Sequence, residues 1–523
     1  MKIVPPYYPV IYIRGFAATM AEIEDTVADP YMGFNLGSTK IRQDWRQRVV
    51  RHIFESPLIR LMKDEGYADA YAGGDLPAED RPVAAQSIWI FRYYEQASED
   101  LGGGQRQTIP EIAADLRRFV LRVRRQVCMS ASGRADAAAQ KGFRVHLVAH
   151  SMGGLIARCY LQNICGGGVK SAALKKELEL DAGHLVDKVY TYATPHNGID
   201  ALGVNAPNLG TLDAFHVRNF NRGVMREYLG LPPDAERVDT LDGKFAPERF
   251  FCMIGTNYRD YTAFAGLSRH ATGAMGDGLV LVNNAAVNGA PRAFAHRSHS
   301  GHYGIVNSEE GYQNLRRFLF GDFRIDVRLA TDDITLPQAI EEQRRAGRQV
   351  RASYHIESTA QVRGAKYFLH ERKVDHESAV FRSYEEWAEK HKPAYLFSGY
   401  IYDKGKSAQS QDKSLACALR LAIKSPEYEV ERKFWPDAHF EGSDIFTETL
   451  SFFITPRRNG VQVAHGLASQ DGAGTAPRAL GVLPADSPAQ TFEIPLGFGA
   501  GDVNPPRPGF RGRLLLEVTR WNI

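Results

Sequence analysis

Cysteine is scarce in this chain, which has five cysteines among 523 residues. They are scattered along the sequence, at Cys128, Cys159, Cys165, Cys252 and Cys417. Disulfide-stabilised proteins carry even numbers of cysteines at regular spacings, so this odd, scattered set argues against a disulfide framework. We therefore expect the chain to fold in a reducing compartment.

Neither charge is in large excess. The chain has 64 Lys and Arg and 61 Asp and Glu, which gives a formal net charge of +3. A nucleic-acid-binding face needs concentrated positive charge, so we expect no nucleic-acid partner. The content of 44% hydrophobic and 24% charged residues is typical of an ordinary soluble globular protein. A chain of 523 residues is too long to fold around a single hydrophobic core, so we expect two domains or more.

Long apolar runs are absent from the sequence as well. No stretch approaches the ~18 apolar residues that cross a bilayer. Residues 1–10 have neither the apolar core nor the cleavage site of a signal peptide. We expect a cytoplasmic protein, while export by a route without a cleaved signal peptide stays open.

What the first 322 residues do contain is an alternation of strands and helices. Short apolar runs predict buried strands at 9–13, 87–94, 144–149, 185–194 and 249–254. Thr108 and Glu111 form a capping-box pattern ahead of an amphipathic helix. Such alternation predicts a mostly parallel sheet covered by helices. Residues 33–81 are interpreted as a surface excursion with one helix around 45–62.

The pattern changes after Asp322, where apolar residues begin to recur at every second position. Residues 323–329, 415–423 and 514–518 all alternate in this way. Proline and glycine clusters separate the runs. We therefore predict a catalytic domain over 1–322 and a mostly antiparallel, sandwich-like β domain over 323–523.

The most informative stretch is residues 144–158, RVHLVAHSMGGLIAR. A short apolar strand leads directly into Ser151, and a helix follows at once. The tight turn that exposes a nucleophilic serine needs small residues on both sides. Ala149 supplies that room before the serine, where the usual motif has glycine, and two glycines supply it afterwards. This pattern predicts Ser151 as a catalytic nucleophile.

A nucleophilic serine needs a histidine base that is oriented by an acid. Asp277, set between two glycines ahead of an apolar run, is our predicted acid, with Asp260 and Asp242 as the next candidates. A plain turn aspartate would also suit Gly-Asp-Gly. Because it lies nearest the final helix, His302 is our predicted base, with His299 second. The resulting order Ser, Asp, His is that of the α/β-hydrolases.

The same loop also admits a metal interpretation, since His296, His299 and His302 are spaced by three residues. Three histidines can hold a mononuclear zinc. The triad already accounts for His302, and loops rich in Ser and Arg commonly carry solvated histidines. We therefore expect no metal and no cofactor.

An oxyanion hole needs two backbone N–H donors aimed at the developing negative charge. The amide of Met152, directly after the nucleophile, is the first predicted donor. The second should come from the loop that follows the first strand, Arg14-Gly15-Phe16-Ala17. We assign it to the Phe16 amide, with Gly15 allowing close approach of the substrate.

Together these motifs resemble the lipase and esterase branch of the α/β-hydrolases, similar to bacterial triacylglycerol lipases and to enzymes that deacylate lipid-linked inositol. The resemblance covers residues 8–320 and includes Thr194-Pro-His-Asn-Gly198. It implies an α/β-hydrolase fold with a helical lid at about residues 197–247, although a fixed cap is an equal alternative. Arg14 stands where the family has a histidine. Because the oxyanion donor in this loop is a backbone N–H, we expect the loop to keep its role despite this change.

We expect a serine carboxylic-ester hydrolase that acts on lipid or other acyl esters through an acyl-enzyme. A phospholipase or an acyltransferase would use the same triad. The rival class is a membrane- or partner-docking protein whose β domain carries the function, with loops 457–460 and 505–508 as candidate membrane contacts. Binding of the isolated 325–523 segment to lipid vesicles would distinguish this class.

Overall fold

The computed structural model describes most of the chain. The described residues are 3–17, 20–43, 46–71, 75–130, 132–201, 204–205, 217–261, 275–362, 365–402, 404, 415–430, 438–457, 460–470, 477–499, 502 and 507–522. They form two compact units, one of Met1–Arg292 with Arg297–Phe320 and one of Ala293–His296 with Gly321–Ile523. That residues 1–322 and 323–523 are separate folding domains stays a prediction.

The first unit alternates strands and helices along the chain. Its strands are β1 (Val10–Ile13), β2 (Ser38–Gln43), β3 (Val49–Phe54), β4 (Ala68–Asp69), β5 (Ser87–Phe91), β6 (Val145–His150), β7 (Val186–Tyr192), β8 (Asp200–Ala201), β9 (Val204–Asn205) and β10 (Phe250–Gly255), and β11 (Arg292–Ala295) spans the boundary. Its helices are α1 (Met20–Ala28), α2 (Pro57–Glu65), α3 (Ile109–Val127), α4 (Ala137–Gly142), α5 (Met152–Cys159), α6 (Ala172–Glu177), α7 (Arg222–Leu229) and α8 (Glu309–Phe320). Among the described residues, no helix is long and apolar enough to span a membrane.

Six strands of this unit lie side by side in the order β10-β7-β6-β1-β5-β4, and every pairing between them is parallel. All residues of β1, β5 and β10 are buried. Parallel strands that are buried on both faces need helices on each side, which the crossovers supply. This architecture confirms the predicted α/β-hydrolase fold class.

The register of the central strands brings three loops to one edge of the sheet. Ile13, the last residue of β1, lies opposite Ala149 of β6 on one side and Phe91 of β5 on the other. The loops that follow these three strands therefore begin at the same level. Two of them carry the predicted oxyanion residue Phe16 and the predicted nucleophile Ser151.

Helix α3 begins where the capping pattern predicts. The Glu111 carboxylate accepts hydrogen bonds from both the N–H and the hydroxyl of Thr108, each at 2.7 Å. Ile112, Leu116 and Val123 are buried, so the apolar stripe faces the interior as its spacing predicts.

In the segment at residues 33–81, the structure has a β-hairpin followed by a helix, where the sequence predicted one helix around 45–62. Ser38–Gln43 and Val49–Phe54 form an antiparallel hairpin, because the β-branched run at 49–54 favours a strand. The helix begins only at Pro57. There the Ser56 hydroxyl accepts a hydrogen bond from the first turn, and proline suits the first helical position.

The second unit is built of antiparallel sheets, as its period-two pattern predicts. Its strands are β12 (Phe323–Thr335), β13 (Val350–Val362), β14 (His370–Arg372), β15 (Val380–Ser383), β16 (Ala394–Ile401), β17 (Leu415–Val430), β18 (Ala438–Arg457), β19 (Gly460–Leu467), β20 (Arg478–Pro484), β21 (Ala489–Gly497) and β22 (Gly509–Arg520), and its helix α9 spans Gln338–Arg345. One sheet has the order β16-β12-β22-β21. The other has the order β14-β13-β17-β18-β19-β20, with β15 also paired to β13. Side chains of both sheets share one hydrophobic core.

A buried lysine lies in β7 of the first unit. The Lys188 ammonium donates a hydrogen bond to the Leu319 carbonyl at 2.7 Å and lies 3.8 Å from the Asp187 carboxylate. Burial lowers the pKa of Lys188 to about 7, against the smaller opposing effect of Asp187. A lysine in the unfolded chain titrates near pH ~10.4.

This difference predicts a pH-dependent stability. Between about pH 7 and pH 10 the unfolded chain binds more protons at Lys188 than the folded chain, so stability rises with pH across that window, by at most ~1.4 kcal/mol per pH unit. Lys188→Met should remove this rise and increase the melting temperature at neutral pH. Melting curves of wild type, Lys188→Met and the exposed control Lys176→Met at several pH values measure it. Parallel pH profiles for wild type and Lys188→Met would contradict the assignment.

Candidate functional site

Ser151 lies in a strained turn between β6 and α5. Its backbone angles are φ 51° and ψ −124°, a conformation that non-glycine residues rarely adopt. The Ser151 N–H donates to the Tyr192 carbonyl at 2.9 Å, and the Thr194 hydroxyl donates to the Ser151 carbonyl at 2.9 Å. One neighbouring segment, residues 192–194 at the end of β7, therefore holds the turn through both contacts. The Thr194-Pro-His-Asn-Gly198 motif begins with one of these contacts.

Small residues are required around this turn because the backbone of β1 passes very close to it. A Cβ added to Gly15 would lie 2.7 Å from the Cβ of Ser151, and one added to Gly153 would overlap the carbonyl oxygen of Ile13. The fully buried Ala149 fits in place of the usual glycine. The glycines thus let the oxyanion loop and the serine turn approach each other.

Ser151 belongs to a continuous chain of hydrogen bonds with a histidine and an aspartate. The Nε2 atom of His299 lies 2.9 Å from the Ser151 hydroxyl, and its Nδ1 atom lies 2.9 Å from Oδ2 of Asp277. All three side chains are buried, at 2%, 3% and 1% exposure for Ser151, His299 and Asp277. With Nδ1–H donating to the carboxylate, Nε2 is left to accept the serine proton.

The structure therefore brings His299, and not the predicted His302, into contact with Ser151 and Asp277. The loop folds back on itself, since the Ser298 N–H donates to the Tyr303 carbonyl and the Ile305 N–H donates to the Ser298 carbonyl. His302 lies at the exposed tip of this loop. The N–H of His299 donates to the Asp277 carbonyl at 3.0 Å, which fixes His299 beside the acid.

Asp277 is held for its contact with His299 by its own glycine-rich turn. Its Oδ1 atom accepts the N–H groups of Leu279 and Val280, at 3.0 and 2.8 Å, while Oδ2 faces His299. The two other acid candidates make different contacts. Asp260 accepts a hydrogen bond from Asn257, and the N–H of Asp242 donates to the Thr240 hydroxyl.

Two aromatic side chains that the sequence analysis did not single out pack against His299. The His150 Nε2–H donates to the His299 carbonyl at 3.0 Å, and the two imidazole rings are 5.0 Å apart. Burial holds the pKa of His150 well below its usual range, with a smaller lowering from the neighbouring His299 imidazole. Tyr261 covers another side of the His299 ring at 5.5 Å. The only sequence signal for His150 is its place next to the serine.

The three histidines of the zinc alternative have different surroundings. His296 stacks on His376 with ring centroids 3.6 Å apart, His299 contacts Ser151 and Asp277, and His302 is exposed. Within the described ranges, no group of three or more His, Cys, Asp or Glu side chains could hold a metal ion.

Phe16 and Met152 line the same cavity. Tyr93 and Tyr94 also line it and support the oxyanion loop: the Tyr93 hydroxyl donates to the Arg14 carbonyl at 3.0 Å, and the Tyr94 hydroxyl donates to the Gly15 carbonyl at 3.1 Å. Burial raises the pKa of both tyrosines, which keeps these hydroxyls protonated as donors. The strand pattern at 87–94 contained this pair, but nothing in it indicated the contact.

The predicted lid at residues 197–247 is described only in part, because residues 202–203 and 206–216 lie outside the described residues, including the apolar positions 202, 209, 212 and 215. In the described portion, the Phe220 ring packs edge-on against Phe16 at 5.8 Å, and Asn219 lines the same cavity as Phe16 and Met152. This segment therefore borders that cavity. Its role as a lid stays a prediction.

We compared the chain with known protein families, curated proteins and solved structures. No protein-family description and no curated protein matches this sequence. Among solved structures, the chain is similar to the lipase BlEst2 of Bacillus licheniformis in its mature form (14% identity, 61% of this chain and 93% of that chain, TM-score 0.28) and in its propeptide form (11% identity, 87% and 95%, TM-score 0.28). It is also similar to phospholipase PlaB of Legionella pneumophila (12% identity, 83% and 90%, TM-score 0.31). At TM-scores below 0.5 these likenesses carry no argument about activity.

The backbone strain at Ser151 predicts a stability effect that is separate from any chemistry. Ser151→Gly should stabilise the folded chain by about 1 kcal/mol, because glycine adopts positive φ without steric cost. Ser151→Ala keeps the Cβ and should not show this gain. Thermal melting of the three proteins measures the difference. A Ser151→Gly protein that melts no higher than Ser151→Ala would contradict the strain assignment.

Proposed function

We propose that this chain is a serine carboxylic-ester hydrolase that acts on lipid or other acyl esters. Ser151 is the nucleophile, His299 the base, and Asp277 the acid that orients the base. The observation that carries the proposal is the chain of hydrogen bonds from Asp277 through His299 to Ser151, with 2.9 Å at each step. This arrangement meets the geometric requirement for an activated serine, a base within hydrogen-bond reach and a third group orienting that base.

In the first half-reaction the Ser151 Oγ attacks the ester carbonyl carbon, and its proton passes to Nε2 of His299. The positive charge that develops on the imidazole is stabilised by the Asp277 carboxylate. Collapse of the tetrahedral intermediate breaks the ester C–O bond, and Nε2 returns the proton to the departing alcohol. Water then attacks the acyl-enzyme with His299 again as base, which releases the acid and regenerates Ser151.

The oxyanion would be stabilised by the N–H groups of Phe16 and Met152. Both residues line one cavity, and the register of β1 with β6 brings the loops that carry them to the same edge of the sheet. Met152 is also the first residue of α5, where the helix dipole favours negative charge. Preorganised donors of this kind are worth about 10²–10³ in kcat each.

The cavity also suggests which esters fit. Its walls include the aromatic rings of Phe16, Tyr93 and Tyr94, together with Ile112, so an acyl chain would be buried there. Arg106 lies in the same lining. A guanidinium beside an acyl-binding cavity favours an anionic group near the ester, which makes a phospholipase the second candidate.

The direct test compares hydrolysis of p-nitrophenyl esters, from acetyl to palmitoyl, and of an anionic phospholipid. Ser151→Ala and His299→Ala should each lower kcat by at least about 10³-fold, because the nucleophile or its base is removed. His302→Ala, at the exposed loop tip, should stay within about twofold of wild type. Full activity in Ser151→Ala would overturn the mechanism, and loss only in His302→Ala would overturn the choice of base.

His150 is proposed as a positioning residue because it donates to the backbone of His299. His150→Phe removes that donor and should lower kcat about tenfold with KM unchanged, the effect of one lost hydrogen bond of about 1.4 kcal/mol. His150→Gln offers an amide N–H at similar reach and should recover most of kcat. If both variants lose the same fraction of kcat, or if KM alone changes, the positioning role is wrong.

A further inference from the structure

Arg158 is a fully buried residue of helix α5. Its Nε–H donates to the side-chain oxygen of Gln162 at 2.9 Å, and one terminal nitrogen donates to the His196 carbonyl at 2.8 Å. The other terminal nitrogen donates to the carbonyls of Val238 and Thr240, at 2.5 and 2.7 Å. Among the described residues, the acceptors of this guanidinium are therefore all neutral oxygens.

A buried charge loses its contact with water, so the hydrogen bonds of Arg158 must compensate for that loss. Burial lowers the pKa of Arg158 to about 10, and the side chain therefore keeps its charge at neutral pH. Hydrogen bonds from a charged donor are stronger than those between neutral groups, and the planar fork can bind several carbonyls at once. Arg158 therefore connects α5 to segments that are distant from it in the sequence.

Arg158 lies on the face of α5 that also carries the contacts of the nucleophile. Gly154 follows Ser151 by three residues and Arg158 follows Gly154 by four, the spacing of neighbours on one helix face. The Thr194 hydroxyl donates to the Ser151 carbonyl at 2.9 Å, and a Cβ added to Gly154 would lie 2.3 Å from the Thr194 Oγ1 atom. Arg158 binds the His196 carbonyl one turn later. Helix α5 therefore holds the segment from Thr194 to His196 at two levels.

The contact at His196 is coupled to the serine turn through the backbone. The His196 N–H donates to the Thr194 carbonyl at 2.9 Å, so a displacement of His196 would also displace Thr194. Thr194 in turn supplies one of the hydrogen bonds that hold Ser151 at positive φ. A strained backbone persists only where its surroundings enforce it. Loss of the Arg158 contact would therefore let the turn relax.

We propose that Arg158 is a positioning residue for the nucleophile, which keeps residues 194–196 on α5 and thereby keeps the Ser151 turn in its strained conformation. This role rests on the proposed function, because it concerns Ser151 as the attacking group. A relaxed turn would move the serine hydroxyl away from Nε2 of His299, which lies 2.9 Å from it. The loss would therefore fall on the chemical step and not on substrate binding.

Arg117 is a matched control on helix α3. It is also fully buried, and it donates to three backbone carbonyls within residues 178–183. These residues precede β7, whereas His196 follows it. In a parallel sheet, the loops that precede the strands lie at the opposite edge from the loops that follow them. Arg117 is therefore a buried, carbonyl-bound arginine that is remote from Ser151.

The first test compares Arg158→Lys with Arg117→Lys, since lysine keeps the charge but lacks the planar fork. Both variants should melt at a lower temperature than wild type. In p-nitrophenyl ester hydrolysis, Arg158→Lys should lower kcat about tenfold with KM within about twofold, whereas Arg117→Lys should keep kcat within about twofold of wild type. Equal kcat in the two folded variants would overturn the proposal, because the loss would then reflect stability alone.

A milder variant keeps the test decisive if Arg158→Lys does not fold. Gln162→Met removes the acceptor of the Arg158 Nε–H and leaves the carbonyl contacts in place. It should lower kcat about threefold, because the fork is less well oriented. A folded Gln162→Met protein with the kcat of wild type would count against the role of Arg158.

A double-mutant cycle tests whether Arg158 acts through Thr194. Thr194→Val replaces the hydroxyl by a methyl group of similar size and removes the hydrogen bond to the Ser151 carbonyl. If both residues hold the same turn, the combination of Arg158→Lys with Thr194→Val should lower kcat little more than the more damaging single change. Losses that multiply, as expected for independent sites, would contradict action through this segment.

Hydrogen exchange followed by mass spectrometry gives a readout that does not depend on activity. Peptides that cover residues 149–155 and 192–198 should exchange several-fold faster in Arg158→Lys and at the wild-type rate in Arg117→Lys. Unchanged exchange in a folded Arg158→Lys protein would overturn the proposal, whether or not the chain hydrolyses esters. Full esterase activity in Ser151→Ala would instead remove the proposed function, and hydrogen exchange would still decide whether Arg158 holds this segment.

Discussion

The site depends on one steric constraint, the close approach of the chain after β1 to the strained turn at Ser151. The parallel register of β1 with β6 sets this approach, and glycine at positions 15 and 153 makes it sterically allowed. The positive φ at Ser151 is held by the hydrogen bond that the Ser151 N–H donates to the Tyr192 carbonyl of β7 and by the one that its carbonyl accepts from the Thr194 hydroxyl. A protein would not maintain such strain without tertiary contacts that enforce it.

The acid and the histidine are held by equally local backbone contacts. Asp277 is fixed by two N–H groups of its own turn, and His299 is fixed by its N–H to Asp277 and by His150. The side chains therefore need little reorganisation to act together. Preorganisation of this kind is the main way that an enzyme lowers the cost of charge development.

The elbow, the capping box of α3 and the acid loop could be predicted from sequence because each depends on residues close together in the chain. His299 could not be separated from His302, since the choice depends on how residues 298–305 pair with one another and with Asp277. The hairpin of Ser38–Gln43 and Val49–Phe54 was missed because each strand has only six residues and neither sequence alternates cleanly between apolar and polar residues.

The most direct test of the account is identification of the residue that reacts with an alkyl fluorophosphonate, a probe of activated serines. We predict one covalent adduct, located by peptide mass spectrometry on Ser151, with a labelling rate at least about 10³-fold lower in His299→Ala. An adduct on another residue, or labelling of Ser151 at the same rate without His299, would contradict the account.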